Sequence, residues 1–483
     1  MSEVRVRFED VNGDGDREIV VENDWLRAVL RFPDEVGESY YGRRFTWGGR
    51  LQSLIYRPTG YEYFMAEMID PENVAPFGLP DELFEMFPFE NDESRLLKMG
   101  VGVFDGAEED AVLAPLPWSW RQEKEGDETA VVFRQEAENL GGHSFVYEKR
   151  YRFRNDSAWF AFDAIWSNNS DKTYESDWDI HSFHQSGEPP YSSWFVAPKR
   201  TWISCGQSRV RTVLKEASPI FATLDLNTYV ADRIQWDLDG QGWWYALGPG
   251  NSDEFYLLRS RFEPFRGLFW HAWRAFTPQG ISHVSLPAGE TAVWGFDVTL
   301  GMGGKNFVAA GEDCGITIDR EDDAQVVVGV HGAHRRIGTI NLHMLAPDGT
   351  MLHSNLLEGH SSPGQPLSVR VALPEGHDYI RIAISYSERE RLLLQTEEIV
   401  PCEPRRPSAH LPFDGGGRNL LALSDPDIEE HQVDYLHFCS HALQCGFKTE
   451  WDAAGPTIPD AIEDLDLICL VGDAWPEDRI EEL

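Results

Sequence analysis

YESDWDIHSFHQ, residues 174 to 185, sets the reading of everything around it. Side chains on a strand alternate between faces, so Asp177, Asp179, His181 and Phe183 share one face. Trp178, Ile180, Ser182 and His184 share the other. One face therefore gathers two carboxylates and an imidazole, and the other is largely apolar. Imidazole titrates near neutrality, and a neighbouring carboxylate fixes its tautomer and raises its pKa. That arrangement suits proton transfer to a polar, uncharged substrate. The plainer alternative is a half-buried strand whose polar face meets water.

Strand-like sequence surrounds this stretch. HSFVYEKRYRF (His143 to Phe153) alternates, and FAFDAIWSNNSDK (Phe160 to Lys172) ends in a turn containing Asn168. SLPAGETAVWGFDVTLG (Ser285 to Gly301) has a closing hairpin's pattern, with Pro287 and Gly289 at its turn. Near the start, VRVRFED and EIVVENDWLRAVLRF flank the turn Asp10 to Glu18. Asp10, Asn12, Asp14 and Asp16 alternate there as in a calcium loop, but Val21 stands where an EF-hand loop needs its closing glutamate. A hairpin turn and a calcium site both fit, since Asn, Gly and Asp favour turns. No helix longer than a few turns is expected in the first 300 residues.

The composition shifts after Gly301. AQVVVGVHG, TINLHMLAPDG, LSVRVALP and DYIRIAISYS are strand runs between turn residues, which predicts a small β-sandwich over 304–402. A Pro- and Gly-rich linker, PCEPRRPSAHLPFDGGGR, follows. Residues 415–483 change class. NLLALSD and DLDLICLVGD are apolar strands on either side of the amphipathic run EEHQVDYLHFCSHALQCGF, and PEDRIEEL begins a helix at Pro476. This β-α-β pattern predicts parallel strands. The expected fold is mainly β: a large β-sandwich over 1–303, the small sandwich, then a partial α/β segment.

Composition narrows the partners. The net charge is -39, and of the 42 basic residues eight are lysine and 34 arginine. Such a charge repels nucleic acid and anionic membrane surfaces. Many carboxylates with few lysines fits a protein working in high salt, or else an acidic mesophilic protein. No apolar run approaches a membrane span and the N-terminus has no signal core, so a cytoplasmic location is expected. The six cysteines form no CxxC pair, so neither a zinc site nor a disulfide framework is expected. Cys439, Cys445 and Cys469 suit packed rather than reactive positions.

Further blocks carry a family resemblance. YYGRRFTWGG (residues 40–49), an acidic loop FGLPDELFE (77–85) and a strand KMGVGVF (98–104) precede those above, in order, over about residues 15 to 303. The order resembles the galactose mutarotase-like (aldose 1-epimerase) superfamily. The resemblance implies a β-supersandwich with an aldose in a cleft across one concave sheet, with no cofactor and no metal. It implies that an acid protonates the ring oxygen while a base takes the anomeric hydroxyl proton, and that the ring opens and recloses. His181 matches the acid, and Glu263, in RFEPF, is the nearest candidate for the base. Arg44, Asp177, Asp179, Trp270 and His271 are the expected substrate contacts. Where the superfamily carries a second histidine this chain has FGLPDELFE, and where it carries the glutamate strand this chain has RGLFWHAW (266–273). Residues 415–483 resemble the opening of a class I glutamine amidotransferase-like or trehalose-utilisation-like domain. Three functions follow: an epimerase-like isomerase, a non-catalytic carbohydrate-binding protein, or a structural scaffold.

Overall fold

The computed structural model describes residues 3–33 without 12, 14 and 16; 46; 48–64; 78–185 without 80 and 107; 193–196; 201–204; 224–225; 234–238; 244–249; 252–261; 265–272; 275–402 without 323 and 378; 419–423; 448–450; and 467–470. Only backbone is described at 108–112, 181, 185, 193–238, 265–279, 322, 401 and 419–470 within those ranges. Every regular element among the described residues is a strand.

Two large sheets dominate the first body, joined in its core by a five-stranded and a four-stranded sheet from the first 115 residues. A nine-stranded sheet runs Trp118–Glu125, Glu128–Leu140, His143–Arg154, Trp159–Asn168, Thr291–Met302, Glu254–Ser260, Trp244–Pro249, Ser193–Val196 and Leu224–Asp225. A seven-stranded sheet runs Thr201–Ser204, Ile234–Leu238, Phe265–Ala272, Ala275–Leu286, Tyr174–His181 and Asp81–Leu83, with His184–Gln185 also pairing Ala275–Leu286. They pack face to face through aromatic rings. Trp178 stacks on Trp294 at 5.7 Å and on Phe162 at 6.4 Å, across the gap between the sheets. The His143–Arg154 strand shows why these residues fold so. Its alternate positions Phe145, Tyr147, Lys149, Tyr151 and Phe153 are all buried, while the positions between them are partly exposed. One lysine thus stands in an aromatic stripe facing the interior.

Three expectations change. Pro287 to Glu290 is a turn, with Gly289 at φ 77, but the strands on either side do not pair with each other. Ala275–Leu286 pairs with Tyr174–His181 in one sheet, and Thr291–Met302 with Trp159–Asn168 in the other. The turn is a crossover, pinned by the buried Asn168. The Asn168 side-chain amide donates to the carbonyls of Leu286 (2.9 Å) and Lys172 (2.7 Å), and the Asn168 backbone carbonyl accepts from the Gly289 N–H. KMGVGVF is two strands, Asp92–Lys98 and Gly102–Asp105, around a turn in which Gly100 has φ 83. The centre of the acidic loop is the strand Asp81–Leu83, which pairs with Trp178 to Ile180.

The N-terminal hairpin is present: Arg5–Glu9 pairs antiparallel with Glu18–Glu22, Glu9 opposite Glu18. In its turn the Asp10 carboxylate accepts from the N–H groups of Gly13 (2.7 Å) and Gly15 (3.2 Å). Asn12, Asp14 and Asp16 lie outside the described residues.

The second sandwich consists of two four-stranded sheets around a separate aliphatic core that includes Val326, Val328, Ile340, Ile382 and Ile384. It abuts the first body through backbone bonds, Ala158 N–H to Ala333 O (2.6 Å) and Met302 N–H to Pro363 O (3.1 Å). In the third region, Asn419–Leu423 pairs parallel with both Lys448–Glu450 and Leu467–Leu470, as the β-α-β pattern predicts. Cys469 lies within the last of these strands, whereas Cys439, Cys445 and the stretch beginning at Pro476 lie outside the described residues. Among the described residues no helix is long and apolar enough to cross a membrane.

The charge of -39 makes salt a stability variable. Exposed ion pairs contribute little each and salt weakens them, whereas screening relieves repulsion over the whole surface. The melting temperature is expected to rise between 0.1 M and 2 M potassium chloride. A flat or falling profile in a thermal scan would reject adaptation to high salt.

Candidate functional site

The register of Tyr174–His181 separates its two faces as the alternation predicts. Tyr174, Ser176, Trp178 and Ile180 are buried, and the three larger ones join the aromatic core. Glu175 is exposed, Asp177 half-buried and Asp179 fully buried, so the opposite face deepens along the strand toward His181. The His181 backbone lies opposite Gln279. His184 belongs to the interior: its ring sits 5.1 Å from Phe64 and 4.6 Å from Tyr256, and burial pushes its pKa down to about 3. It is therefore neutral at any working pH.

Across the strand from Asp177 stands His283. Its Nδ1 lies 2.8 Å from Asp177 Oδ1 and its Nε2 3.2 Å from Glu175 Oε2, and Ser285 Oγ donates to Glu175 Oε1 at 2.5 Å. The hydrogen bond to Asp177 raises the His283 pKa, helped by the charges of both carboxylates. The imidazole is 63% exposed and so open to solvent and solutes. An NMR titration should find the His283 midpoint above the ordinary histidine value, and Asp177→Asn should bring it back toward that value. A wild-type midpoint at the ordinary value would mean that the carboxylates do not hold the ring in solution.

Beside Asp179, on the edge strand, stands Glu82. Lys98 Nζ lies 2.5 Å from Glu82 Oε1, and both side chains are buried. On the inward side of the same short strand, Asp81 faces the gap between the sheets. It receives Lys149 Nζ at 2.5 Å and the hydroxyls of Thr46 and Tyr147. Burial brings the Lys149 pKa down to about 8, and the Asp81 charge opposes that fall. The two adjacent carboxylates of the edge strand thus each have a lysine, one per face.

The other expected site residues fall unevenly. Trp270 is in register with Thr277, on the alternate row of Ala275–Leu286 that continues through Gln279 to His283. His271 is in register with Phe276, which also pairs with the buried His184. Neighbours on a strand serve opposite faces, so only Trp270 stands on the row of the site. Glu263 and Arg44 lie outside the described residues. His283, Glu82 and Lys98 were not anticipated. The alternation of ISHVSL shows that His283 faces the same way as Ile281 and Ser285, but sequence does not show which strand lies alongside. Among the described residues no group of three or more His, Cys, Asp or Glu side chains could hold a metal ion.

What the arrangement can do follows from spacing. Alternate residues on a strand are about 6–7 Å apart. Asp177 with His283, Asp179 with Glu82, and the His181 position therefore form three polar stations over about 13 Å. An exposed imidazole held by carboxylates can give or take a proton.

No family model matches the chain, and no curated protein matches it. Solved structures do. A galactose mutarotase related enzyme from Lactobacillus acidophilus is 14% identical, with the match covering 59% of this chain and 97% of that one at a TM-score of 0.40. A galactose mutarotase-like protein from Lactobacillus casei is 13% identical, covering 59% and 99% at 0.40. A galactose 1-epimerase from Lactobacillus acidophilus is 10% identical, covering 63% and 100% at 0.41. At these identities the similarity concerns the β architecture and not the chemistry.

Proposed function

We propose that this chain is a carbohydrate-active protein that holds an aldose against the outer face of the seven-stranded sheet, and that it is an aldose 1-epimerase-like isomerase. The observation that carries the reading is the register that aligns Asp177 with His283, Asp179 with Glu82, and His181 with Gln279 along one strand. Such a row offers a neutral polyol several hydrogen-bonding groups and at least one imidazole for proton transfer. In this reading His181 is the acid and Glu263 the base, and Asp177, Asp179, Arg44 and Trp270 contact the sugar. His271 has the weaker claim, because its register is that of the interior row. No cofactor and no metal take part. The surface charge disfavours nucleic acid and anionic membranes as partners.

The reading extends to organisation. Residues 1–303 form the sugar-handling unit, 304–402 the second β unit, and 415–483 an α/β segment of amidotransferase-like type, in a cytoplasmic protein. The two largest apolar cores, one drawn from residues 4–300 and the other from 308–402, support the first boundary, and a smaller cluster joins Phe255 and Leu257 to Phe307 across it.

The test is anomer exchange. Freshly dissolved α-glucose and α-galactose are followed by polarimetry or NMR with and without the protein. Exchange faster than in buffer supports the isomerase. Saturable sugar binding without acceleration leaves the non-catalytic carbohydrate-binding reading. Neither exchange nor binding with any aldose would sink both.

A further inference from the structure

Where the two β-sandwiches meet, a cavity of about 390 Å³ is lined by Arg154, Arg259, Arg336 and Arg391 together with Glu312, Asp313 and Glu388. Four guanidinium groups against three carboxylates is an inverted balance in a chain of net charge -39. The two more deeply placed arginines are already committed. Arg154 pairs with Glu312, Asp313 (3.3 Å) and Glu128 (2.9 Å), and Arg336 pairs with Asp313 at 2.7 Å. Those contacts use two of the three lining carboxylates.

Arg259 and Arg391 differ from them. The nearest carboxylate oxygen to Arg259 is Asp297 Oδ2 at 3.9 Å, too far for a hydrogen bond, and the Arg259 side chain is 35% exposed. Arg391 is exposed and lies opposite Glu388 where a tight hairpin turns through Arg389 and Glu390, both at positive φ. Leu392, Leu393 and Leu394 supply an apolar wall. Planar guanidinium forks match the geometry of tetrahedral and planar oxyanions and can bind them in bidentate fashion. Cys314 also lines the cavity, but burial pushes its thiol up to about 12, so the cavity holds no nucleophile at neutral pH.

We infer that this cavity is a binding site for a phosphate or sulfate group, held by Arg259 and Arg391 and braced by the Arg154–Asp313–Arg336 network. The inference does not rest on the sugar reading of the other site. A ligand there would touch both sandwiches and so oppose their separation. The site binds and does not react.

The full chain is titrated with inorganic phosphate and with sulfate by calorimetry, at ionic strength held constant with chloride so that general screening cancels. Saturable binding is expected, with a melting temperature above that in chloride alone. Arg259→Gln and Arg391→Gln should each weaken binding on the order of tenfold, the scale of a lost charge-assisted pair. Arg391→Gln should leave the melting temperature in chloride unchanged, since its side chain is exposed, whereas Arg259→Gln also removes a charge 3.9 Å from the buried Asp297 and is judged by its binding. A sugar phosphate binding more tightly than free phosphate marks an ester as the ligand, and equal affinity marks the free ion. Phosphate and chloride acting alike, or undiminished binding in the double variant, would overturn the assignment.

Discussion

Lys149→Met is expected to lower the unfolding free energy by about 3–5 kcal/mol, the usual cost of removing one partner from a buried ion pair. Lys149 is fully buried in the aromatic stripe of its strand, with its ammonium 2.5 Å from Asp81 and 5.1 Å from the Trp118 ring centre. Methionine fills much the same volume, so little of the loss is packing. The cost comes from Asp81, which keeps the Thr46 and Tyr147 hydroxyls as donors but loses its cation in a site without water access. Adding Asp81→Asn to Lys149→Met removes the stranded charge and should restore a large part of the loss. Urea denaturation of the four proteins measures this as a double-mutant cycle. A Lys149→Met midpoint equal to the wild type's would show that the pair does not hold the sheets together.

The same lysine gives the wild type a pH signature. Its folded pKa is about 8, below the ordinary 10.5. Between those values the unfolded chain holds a proton that the folded chain has released, so this group makes stability rise with pH across that window. The slope should be absent from Lys149→Met.

Strand alternation made the two faces of Tyr174–His181 legible in the sequence, because successive side chains of a strand point to opposite sides whatever covers them. The placement of Asp81 and Glu82 was not. A pair of adjacent acids suggests a loop until the two lysines that neutralise them are known, and these come from strands distant in sequence. His283 was hidden for a related reason: its partner Asp177 is 106 residues away, and register across such a distance is set by the assembled core. The crossover at Pro287 has the composition of a hairpin, and only the pairing of its strands with different sheets separates the two. Trp270 and His271 are a different case. Adjacent strand residues face opposite ways, so the sequence already contained the reason that both could not serve one face.

His181→Ala should slow anomer exchange on the order of a hundredfold or more if the chain is an isomerase, the scale expected for a lost general acid. The loss should appear in kcat with KM little changed, because the group acts on the ring oxygen as the bond breaks and adds less to ground-state binding. Glu263→Ala should cost a similar factor if it is the base, and the pH profile should fall on both sides, where the base is protonated or the acid has lost its proton. His283→Ala is the control that distinguishes the two imidazoles. His283 is exposed and tied between Asp177 and Glu175 at one end of the polar row, two strand steps of about 6–7 Å each from the His181 position. If it only orients sugar hydroxyls, its removal raises KM and leaves kcat nearly intact. If instead His283→Ala abolishes exchange while His181→Ala does not, the chemistry belongs at the exposed end of the row, with Asp177 fixing the tautomer of the catalytic ring. Retained exchange in both variants would remove the imidazoles from the mechanism and with them the physical basis for placing catalysis on this strand.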